Sequence, residues 1–224
     1  MRRLRVIFDL DDTLYPERDF AVSAFGAAGA WAQTELGVEG LADDMVRLLD
    51  DGHLGRLFTL VLERRGIDPA HGAGLIEAYR RHEPLQLRLY ADAEAAMTHF
   101  STEGPIGLIT DGTPVVQRAK VKALGIAKRF RHIVYTHDLG GREFAKPHAG
   151  SFEAMQSALG EAGDRFVYVG DNPSKDFVSP NRMGWTTVQV VRPQRIHANA
   201  KVAEGGAAHH VVETLEALPQ LLKA

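Results

Sequence analysis

The chain has 224 residues, of which 45% are hydrophobic and 25% charged, and its formal net charge is −3 at pH 7. This balance is ordinary for a globular protein and gives no basic surface, so a nucleic acid polymer is not expected as a partner. The absence of cysteine excludes disulfides and thiolate metal sites and fits a cytoplasmic location. The longest run of small apolar residues, 20–32, is too short to span a bilayer, so no membrane is expected either.

The first part of the chain combines one strand with a long helical block. The apolar run at 4–8 predicts a buried strand that ends in polar residues. Glycines and a proline then divide the helical block into four helices, predicted at 20–36, 41–51, 53–65 and 71–82. In the first of these, Gly26 and Gly29 would allow a neighbouring helix to approach closely. The third carries one apolar stripe, formed by Leu54, Leu57, Phe58, Val61 and Leu62.

From residue 91 onward, helices and strands alternate. Helices are predicted at 91–101, 114–124, 149–159 and 213–222. Strands are predicted at 106–109, 133–135, 166–169, 187–191 and 210–212. Strands separated by single helices indicate parallel βαβ units, so the predicted class is α/β, with a Rossmann-like open parallel sheet. Because the helical block interrupts this sheet after its first strand, residues 17–87 are expected to form an inserted helical-bundle cap on a core of residues 1–16 and 88–224.

Polar residues follow the strands of this predicted sheet, at the edge where open α/β folds bind ligands. They are Asp9, Asp11, Asp12 and Thr13 after the first strand, Thr110, Asp111 and Gly112 after the second, and Asp171, Asn172 and Asp176 after the fourth. Lys146 stands just before a helix, between the third and fourth strands. Clustered carboxylates repel one another, so a cation and the lysine are expected among them.

This set of residues predicts a Mg²⁺ site that faces a phosphate group. Mg²⁺ binds through a few carboxylates and keeps open positions for phosphate oxygens. Lys146 and Thr110 would hold the phosphoryl oxygens, helped by the backbone N–H groups at Asp111 and Gly112. The predicted ligand is therefore a small-molecule phosphomonoester.

Two of the carboxylates are predicted to carry the chemistry. Asp9 would attack phosphorus as a nucleophile. Asp11 points to the same side of an extended chain, and it would protonate the leaving oxygen and later deprotonate water. The carboxylates of Asp12 and Asp111 are interpreted as turn-forming groups. The ten histidines are scattered and are interpreted as surface or core residues.

The order of these motifs resembles the haloacid dehalogenase-like (HAD) superfamily of phosphohydrolases over nearly the whole chain. The matching segments are FDLDDTL at 8–14, LITDG at 108–112, Lys146-Pro147 and VGDNPSKD at 169–176. The resemblance implies that Asp9 becomes an aspartyl-phosphate, that Asp11 is the general acid and base, and that Thr110 and Lys146 bind the phosphoryl group. It also implies a set of Mg²⁺ ligands: Asp9, Asp11 through its backbone carbonyl, Asp171, and Asp176 through water or by orienting Lys146.

The same resemblance implies a helical lid and a branch of the superfamily. The 111–145 segment is too short for the alternative α/β cap, so the helical block is expected to close over the substrate and exclude water. The form DLDDTLYP is similar to pyrimidine 5′-nucleotidase-like phosphatases, with Asp12 where many members have glycine. The cap also supplies candidate partners for a second anionic group on the substrate: Arg18, Arg56, Arg64, Arg65, Arg80, Arg81 and Arg88.

Three alternatives to a phosphatase stay open at this stage. A 2-haloacid dehalogenase needs the nucleophile but no leaving-group acid, and Asp11 argues against it because the dehalogenases that this chain resembles lack an aspartate there. A phosphoglucomutase-like enzyme acting on phosphosugars would use the same residues while excluding water. A catalytically silent binding protein should have lost Asp9, Asp11 or Lys146. The sequence does not determine the oligomeric state.

Overall fold

The computed structural model describes residues 3–223. Within this range the strands are β1 (Leu4–Phe8), β2 (Gly107–Thr110), β3 (His132–Tyr135), β4 (Arg165–Gly170), β5 (Thr186–Val190) and β6 (His210–Val212). The α-helices in the same range are α1 (Glu17–Leu36), α2 (Leu41–Asp50), α3 (Leu57–Arg65), α4 (Gly72–Arg81), α5 (Ala91–Glu103), α6 (Pro114–Ala123), α7 (Gly150–Leu159), α8 (Val178–Arg182) and α9 (Leu218–Leu221). The strands form one parallel sheet in the order β3-β2-β1-β4-β5-β6. The predicted α/β class and open parallel sheet are confirmed.

Strand β1 lies inside the sheet, between β2 and β4. Val6 and Phe8 belong to the hydrophobic cluster that includes apolar residues of α5 and α6. Ile7 belongs to a separate cluster, which includes apolar residues of α7. Successive side chains of a strand point to opposite faces, and both faces of this sheet are covered. Burial on both faces therefore explains why β1 reads as a continuous apolar run.

Helices α1 to α4 surround a hydrophobic cluster of their own. A Cβ atom on Gly29 would lie 2.8 Å from the Cβ atom of Ala42, so this glycine lets α2 approach α1 closely. Gly26 is exposed, and no atom of the described residues 3–223 lies within 4 Å of such a position, so the same prediction is wrong there. Although α1 has 20 residues, no helix within the described range 3–223 is both long and apolar enough to cross a membrane.

Two helices are shorter in the structure than the sequence predicts. Helix α3 begins at Leu57 rather than at 53, and Leu54 lies outside it with 37% of its surface exposed. Gly52 and Gly55 disfavour a helix before that point. The predicted helix 213–222 is an α-helix only over Leu218–Leu221. Pro219 has no N–H group and is tolerated only in a first helical turn, so the α-helix cannot begin as early as 213.

Candidate active site

The sheet brings the predicted polar residues to its carboxyl edge. Asp9, Thr110 and Asp171 lie at the ends of β1, β2 and β4, three strands that are adjacent in the sheet. The backbone N–H group of Asp9 donates to the carbonyl oxygen of Val169 at 2.8 Å. After β1 the chain adds strands first on one side and then on the other, and a crevice forms at such a reversal of strand order.

Three buried carboxylates and one buried lysine meet in this crevice. Asp9, Asp171 and Asp176 each offer a carboxylate oxygen, and these oxygens all lie within 4.8 Å of one another. Lys146 Nζ lies 2.8 Å from Asp9 Oδ1 and 2.8 Å from Asp176 Oδ1. It also donates a hydrogen bond to the hydroxyl oxygen of Tyr168 at 3.0 Å. The lysine is thereby held between the proposed nucleophile and one carboxylate of the fourth motif.

This cluster has more negative than positive charge. Lys146 pairs with two of the three carboxylates, whereas Asp171 Oδ2 is buried and has no hydrogen-bond partner among the described residues 3–223. Burial, with the nearby charges of Asp176 and Asp9, raises the pKa of Asp171 well above its usual value. Burial also raises the pKa of Asp9 to about 7, although Lys146 opposes the shift. Closely spaced hard oxygen ligands with an orphaned carboxylate oxygen fit a divalent cation.

The Asp11 carboxylate lies outside the three-carboxylate cluster and has separate partners. Its Oδ1 accepts hydrogen bonds from Lys120 Nζ at 2.7 Å and from the Tyr15 hydroxyl at 2.6 Å. Its Oδ2 accepts from Gln117 Nε2 at 2.8 Å. Burial alone would raise the pKa of Asp11, but Lys120 and these hydrogen bonds lower it below its usual value. The two predicted reacting aspartates therefore occupy different electrostatic environments.

The third acid of the first motif, Asp12, has a structural position that agrees with the predicted turn. Its φ is 51°, a left-handed conformation that favours glycine. Its carboxylate accepts hydrogen bonds from the backbone N–H groups of Glu17 at 2.9 Å and Ile196 at 2.6 Å. Asp12 thus joins the start of α1 to the segment that follows β5.

The second motif supplies a buried hydroxyl and a turn. Thr110 is fully buried, and its Oγ1 accepts a hydrogen bond from Gln117 Nε2 at 2.5 Å. Gly112 has a φ of 122°, which a residue with a side chain rarely adopts. The backbone at 111–112 and the Thr110 hydroxyl lie at the edge of the sheet where the predicted phosphate site would be.

The Asp111 carboxylate does more than form a turn. It forms an ion pair with Lys175 at 3.0 Å, and it accepts hydrogen bonds from Thr136 Oγ1 at 2.9 Å and from the backbone N–H of Lys146 at 3.0 Å. Although burial opposes the shift, Lys146 and Lys175 lower its pKa to about 2. Asp111 therefore positions both lysines, and the interpretation from sequence was incomplete.

Five residues of the site were not singled out by the sequence: Tyr15, Gln117, Lys120, Tyr168 and Lys175. Lys175 lies inside the fourth motif, next to Asp176, so its motif was a usable signal. Gln117 and Lys120 stand three residues apart on α6, a spacing that places two side chains on one helix face. Their burial distinguishes them from solvated helix residues, and burial requires the tertiary structure.

A cavity of about 320 Å³ adjoins Asp11. The residues that line it come from the sheet edge and α6 and also from α3 and α4, among them Asp11, Gly112, Lys120, Phe58, Tyr79 and Arg80. A larger cavity, of about 1020 Å³, lies at the amino ends of β4 and β5 and contains none of the predicted site residues. The smaller cavity is thus the one next to the predicted chemistry.

Of the seven candidate arginines, Arg80 alone lines the 320 Å³ cavity within the described residues 3–223. Four of the others have acidic partners in the cap: Arg18 with Asp50, Arg56 with Glu63, Arg65 with Asp44 and Arg81 with Glu77. Arginine presents a planar set of donors that suits carboxylates and phosphates. Arg80 is therefore the cap arginine best placed to meet a bound molecule.

Known proteins share both the sequence pattern and the fold. The sequence profile of the haloacid dehalogenase-like hydrolase family matches residues 5–184. A glyceraldehyde 3-phosphate phosphatase of Methanopyrus kandleri is 32% identical over 197 residues, which are 84% of this chain and 83% of that protein. The magnesium-bound HAD-hydrolase YfnB of Bacillus subtilis superposes with a TM-score of 0.73 at 18% identity, with 100% of both chains covered. A 2-haloacid dehalogenase of Pseudomonas syringae has a TM-score of 0.62 at 26% identity, with 100% and 99% covered.

The parallel core and the carboxylates at its edge define a hydrolase with an α/β fold. More specifically, the chain belongs to the haloacid dehalogenase-like hydrolase family. The predicted family is thereby confirmed. The predicted enzyme class, a hydrolase that acts on phosphoric monoesters, is confirmed as well.

Proposed function

We propose that the protein is a Mg²⁺-dependent phosphatase that hydrolyses a small phosphorylated metabolite through phosphorylation of Asp9. The observation that carries this proposal is that Asp9 and Asp11 lie in different surroundings. Asp9 lies with Lys146 in a buried cluster of carboxylates, whereas Asp11 is held separately by three hydrogen-bond donors. A nucleophile and a proton-transfer group need such different surroundings.

In the first step, a carboxylate oxygen of Asp9 attacks phosphorus and the bond from phosphorus to the leaving oxygen breaks. The charge of a phosphate bound beside Asp11 would counteract Lys120 and raise the pKa of Asp11. The protonated carboxyl group gives its proton to that oxygen, so that the substrate leaves as an alcohol. Lys146 and the Thr110 hydroxyl hold the phosphoryl oxygens, helped by the backbone N–H groups at 111–112. The phosphoryl group is then an acyl phosphate on Asp9.

In the second step, a water molecule attacks phosphorus of the aspartyl-phosphate. Asp11, now ionised, accepts a proton from that water, and the bond from phosphorus to the Asp9 oxygen breaks. Inorganic phosphate leaves, and both carboxylates are restored to their starting forms. Asp111 contributes by holding Lys146 and Lys175 in place.

The residues that would hold Mg²⁺ are Asp9, Asp171 and Asp176, together with the backbone carbonyl of Asp11. When bound, the ion would supply positive charge for the phosphoryl oxygens and neutralise the carboxylates around it. The same charge would lower the pKa of Asp9 from about 7 toward the usual range of a carboxyl group, which keeps the nucleophile ionised.

The proposed substrate is small and phosphorylated at one end. The 320 Å³ cavity is near the lower limit of ligand cavities, which run from about 300 to 1,000 Å³, so a leaving group of a few carbon atoms is favoured over a nucleoside. The relative that acts on glyceraldehyde 3-phosphate supports this size. We infer that residues 17–87 act as the cap, since Phe58, Tyr79 and Arg80 cover the cavity from α3 and α4. A nucleotidase remains the alternative suggested by DLDDTLYP.

A panel of candidate substrates tests this proposal. Phosphate release should be measured from a triose phosphate, a hexose phosphate, a nucleoside monophosphate and p-nitrophenyl phosphate, with Mg²⁺ and with EDTA. We expect Mg²⁺-dependent release, fastest with the smallest metabolites. Transfer of phosphate between sugars without release would indicate a mutase, and chloride release from 2-chloropropionate would indicate a dehalogenase. Either result, obtained without any release of phosphate, would refute the phosphatase.

The nucleophile has its own test in the Asp9→Asn variant. Loss of a nucleophile lowers kcat by roughly a thousandfold or more, and the side-chain volume hardly changes, so the fold should be retained. The matched control is Asp138→Asn, which removes only an exposed ion pair with Arg118. Activity of Asp9→Asn close to that of the control would rule out Asp9 as the phosphorylated group.

A further inference from the structure

Two polar side chains of α6 are buried beside the reacting residues. Gln117 is 2% exposed and Lys120 is 3% exposed. A buried amide or ammonium group is costly unless it is hydrogen-bonded. Both side chains satisfy this requirement through Asp11. Their position therefore calls for a role in the reaction as well as in folding.

Lys120 and Gln117 hold different oxygens of the Asp11 carboxylate. Lys120 Nζ donates to Oδ1 at 2.7 Å and Gln117 Nε2 donates to Oδ2 at 2.8 Å. Tyr15 adds a third donor, to Oδ1 at 2.6 Å. With both oxygens held, the carboxylate cannot rotate freely about its bond to Cβ. Its distance to the leaving oxygen is then set by α6, and proton transfer requires such a defined distance.

Gln117 also sets the direction of the Thr110 hydroxyl. The same nitrogen donates to Thr110 Oγ1 at 2.5 Å. Because this oxygen already accepts a hydrogen bond, the hydroxyl proton must point elsewhere. The hydroxyl proton is then available to a phosphoryl oxygen bound beside Thr110, where a donor is required. One amide group therefore orients both the phosphate-binding hydroxyl and the proton-transfer carboxylate.

Lys120 further connects Asp11 with the start of α1. Its Nζ lies 3.7 Å from Glu17 Oε1 and 4.7 Å from the centre of the Phe20 ring. Glu17 is the first residue of α1, where the chain enters the proposed cap. Lys120 therefore faces one carboxylate from the catalytic loop and one from the helical block.

We propose that Gln117 and Lys120 are positioning residues: Lys120 places Asp11 for proton transfer to the leaving oxygen, and Gln117 places both Asp11 and the Thr110 hydroxyl. This inference rests on the proposed phosphatase function. It assigns different consequences to the two residues. Lys120 acts only on the leaving group, whereas Gln117 also acts on phosphoryl binding.

The leaving group of the substrate separates these consequences. An alkyl phosphomonoester such as glycerol 2-phosphate needs a proton on its leaving oxygen, whereas p-nitrophenolate leaves readily without one. For Lys120→Met we expect kcat/KM to fall about 100-fold on the alkyl ester and less than about fivefold on p-nitrophenyl phosphate, because general acids contribute about 10²-fold or more. For Gln117→Met we expect losses on both esters, with weaker inhibition by inorganic phosphate.

The controls distinguish positioning from loss of structure. Lys122→Met is the matched variant, since Lys122 is on the same helix but is exposed and paired with Glu83, and it should behave as wild type. Unfolding in urea checks each variant. If Lys120→Met is unstable, the double variant Lys120→Met with Glu17→Gln should be assayed in the same way. The second change removes the other carboxylate that Lys120 faces.

Several outcomes would overturn the proposal. Equal losses on both esters for Lys120→Met, or no loss on either, would show that Lys120 does not act on the leaving group. Unchanged inhibition of Gln117→Met by inorganic phosphate would remove the link to Thr110. A wild-type enzyme that hydrolyses neither ester would refute the phosphatase function and this inference together. If the wild type is active and Lys120→Met has the same ratio of kcat/KM on the two esters, only the inference is refuted.

Discussion

Replacement of Asp171 by asparagine should stabilise the metal-free protein and reduce the stabilisation that Mg²⁺ provides. In the metal-free protein, the Asp171 carboxylate lies within 4.8 Å of those of Asp9 and Asp176. At this separation two charges repel by about 3 kcal/mol for an effective dielectric constant near 20. Lys146 neutralises part of this charge through its ion pairs with Asp9 and Asp176. The charges do not cancel completely, so the free energy of unfolding in EDTA should be about 1–3 kcal/mol higher for the variant than for wild type.

The sign of this effect follows from the pKa of Asp171. Burial and its acidic neighbours raise that pKa well above the usual value. A carboxyl group with a raised pKa in the folded state destabilises the fold at any pH above its unfolded value, about 4. Removal of the charge therefore stabilises the metal-free protein at pH 7, and the benefit should disappear as the pH falls below about 4.

Mg²⁺ should act in the opposite direction. At 100 times its dissociation constant a ligand of the folded state stabilises it by about 2.7 kcal/mol, so wild type should gain about this much. Asp171→Asn should gain far less, because it lacks one ligand. The assay is urea unfolding in EDTA and across a Mg²⁺ titration, with Asp51→Asn, an exposed site, as control. A variant less stable than wild type in EDTA, or an equal gain from Mg²⁺, would refute the repulsion and the metal site respectively.

Three further predictions concern the helical block, the core and the substrate. Gly26→Ala should stabilise the protein by up to about 1 kcal/mol through helix propensity, whereas Gly29→Ala should destabilise it because its Cβ would meet α2 at 2.8 Å; the same sign for both in thermal unfolding would contradict this. Asp92→Asn should lower the free energy of unfolding by about 3–5 kcal/mol at pH 7, because it breaks a buried bidentate pair with Arg192. Burial opposes the shift, but Arg192 lowers the pKa of Asp92, so this contribution is lost as the pH falls below about 4, and urea unfolding at pH 3 should show a smaller difference. Arg80→Leu should raise KM about tenfold for substrates that carry a second anionic group, because it removes about one charged hydrogen bond. The KM for p-nitrophenyl phosphate should not change, and equal effects on both kinds of substrate would exclude Arg80 as a specificity residue.

Much of the fold was predictable because its signals are local. The apolar run of β1 and the alternation after residue 91 depend on neighbouring residues, and they predicted a parallel sheet that the structure contains. The ends of elements were less predictable. The helix expected at 213–222 fails because Pro219 restricts it, and Leu54 falls outside α3. The prediction that Gly26 and Gly29 both allow close approach of a helix was also wrong, because only the packing of α2 distinguishes the two positions.

The sequence by itself determined which residues gather at the site. Residues that directly follow parallel strands must meet at one edge of the sheet, so the positions of Asp9, Thr110 and Asp171 follow from strand order alone. Only the tertiary structure decided how the remaining groups divide among them. Which face of α6 is buried, and hence that Gln117 and Lys120 reach Asp11 rather than solvent, depends on contacts between segments about a hundred residues apart, which no local pattern records.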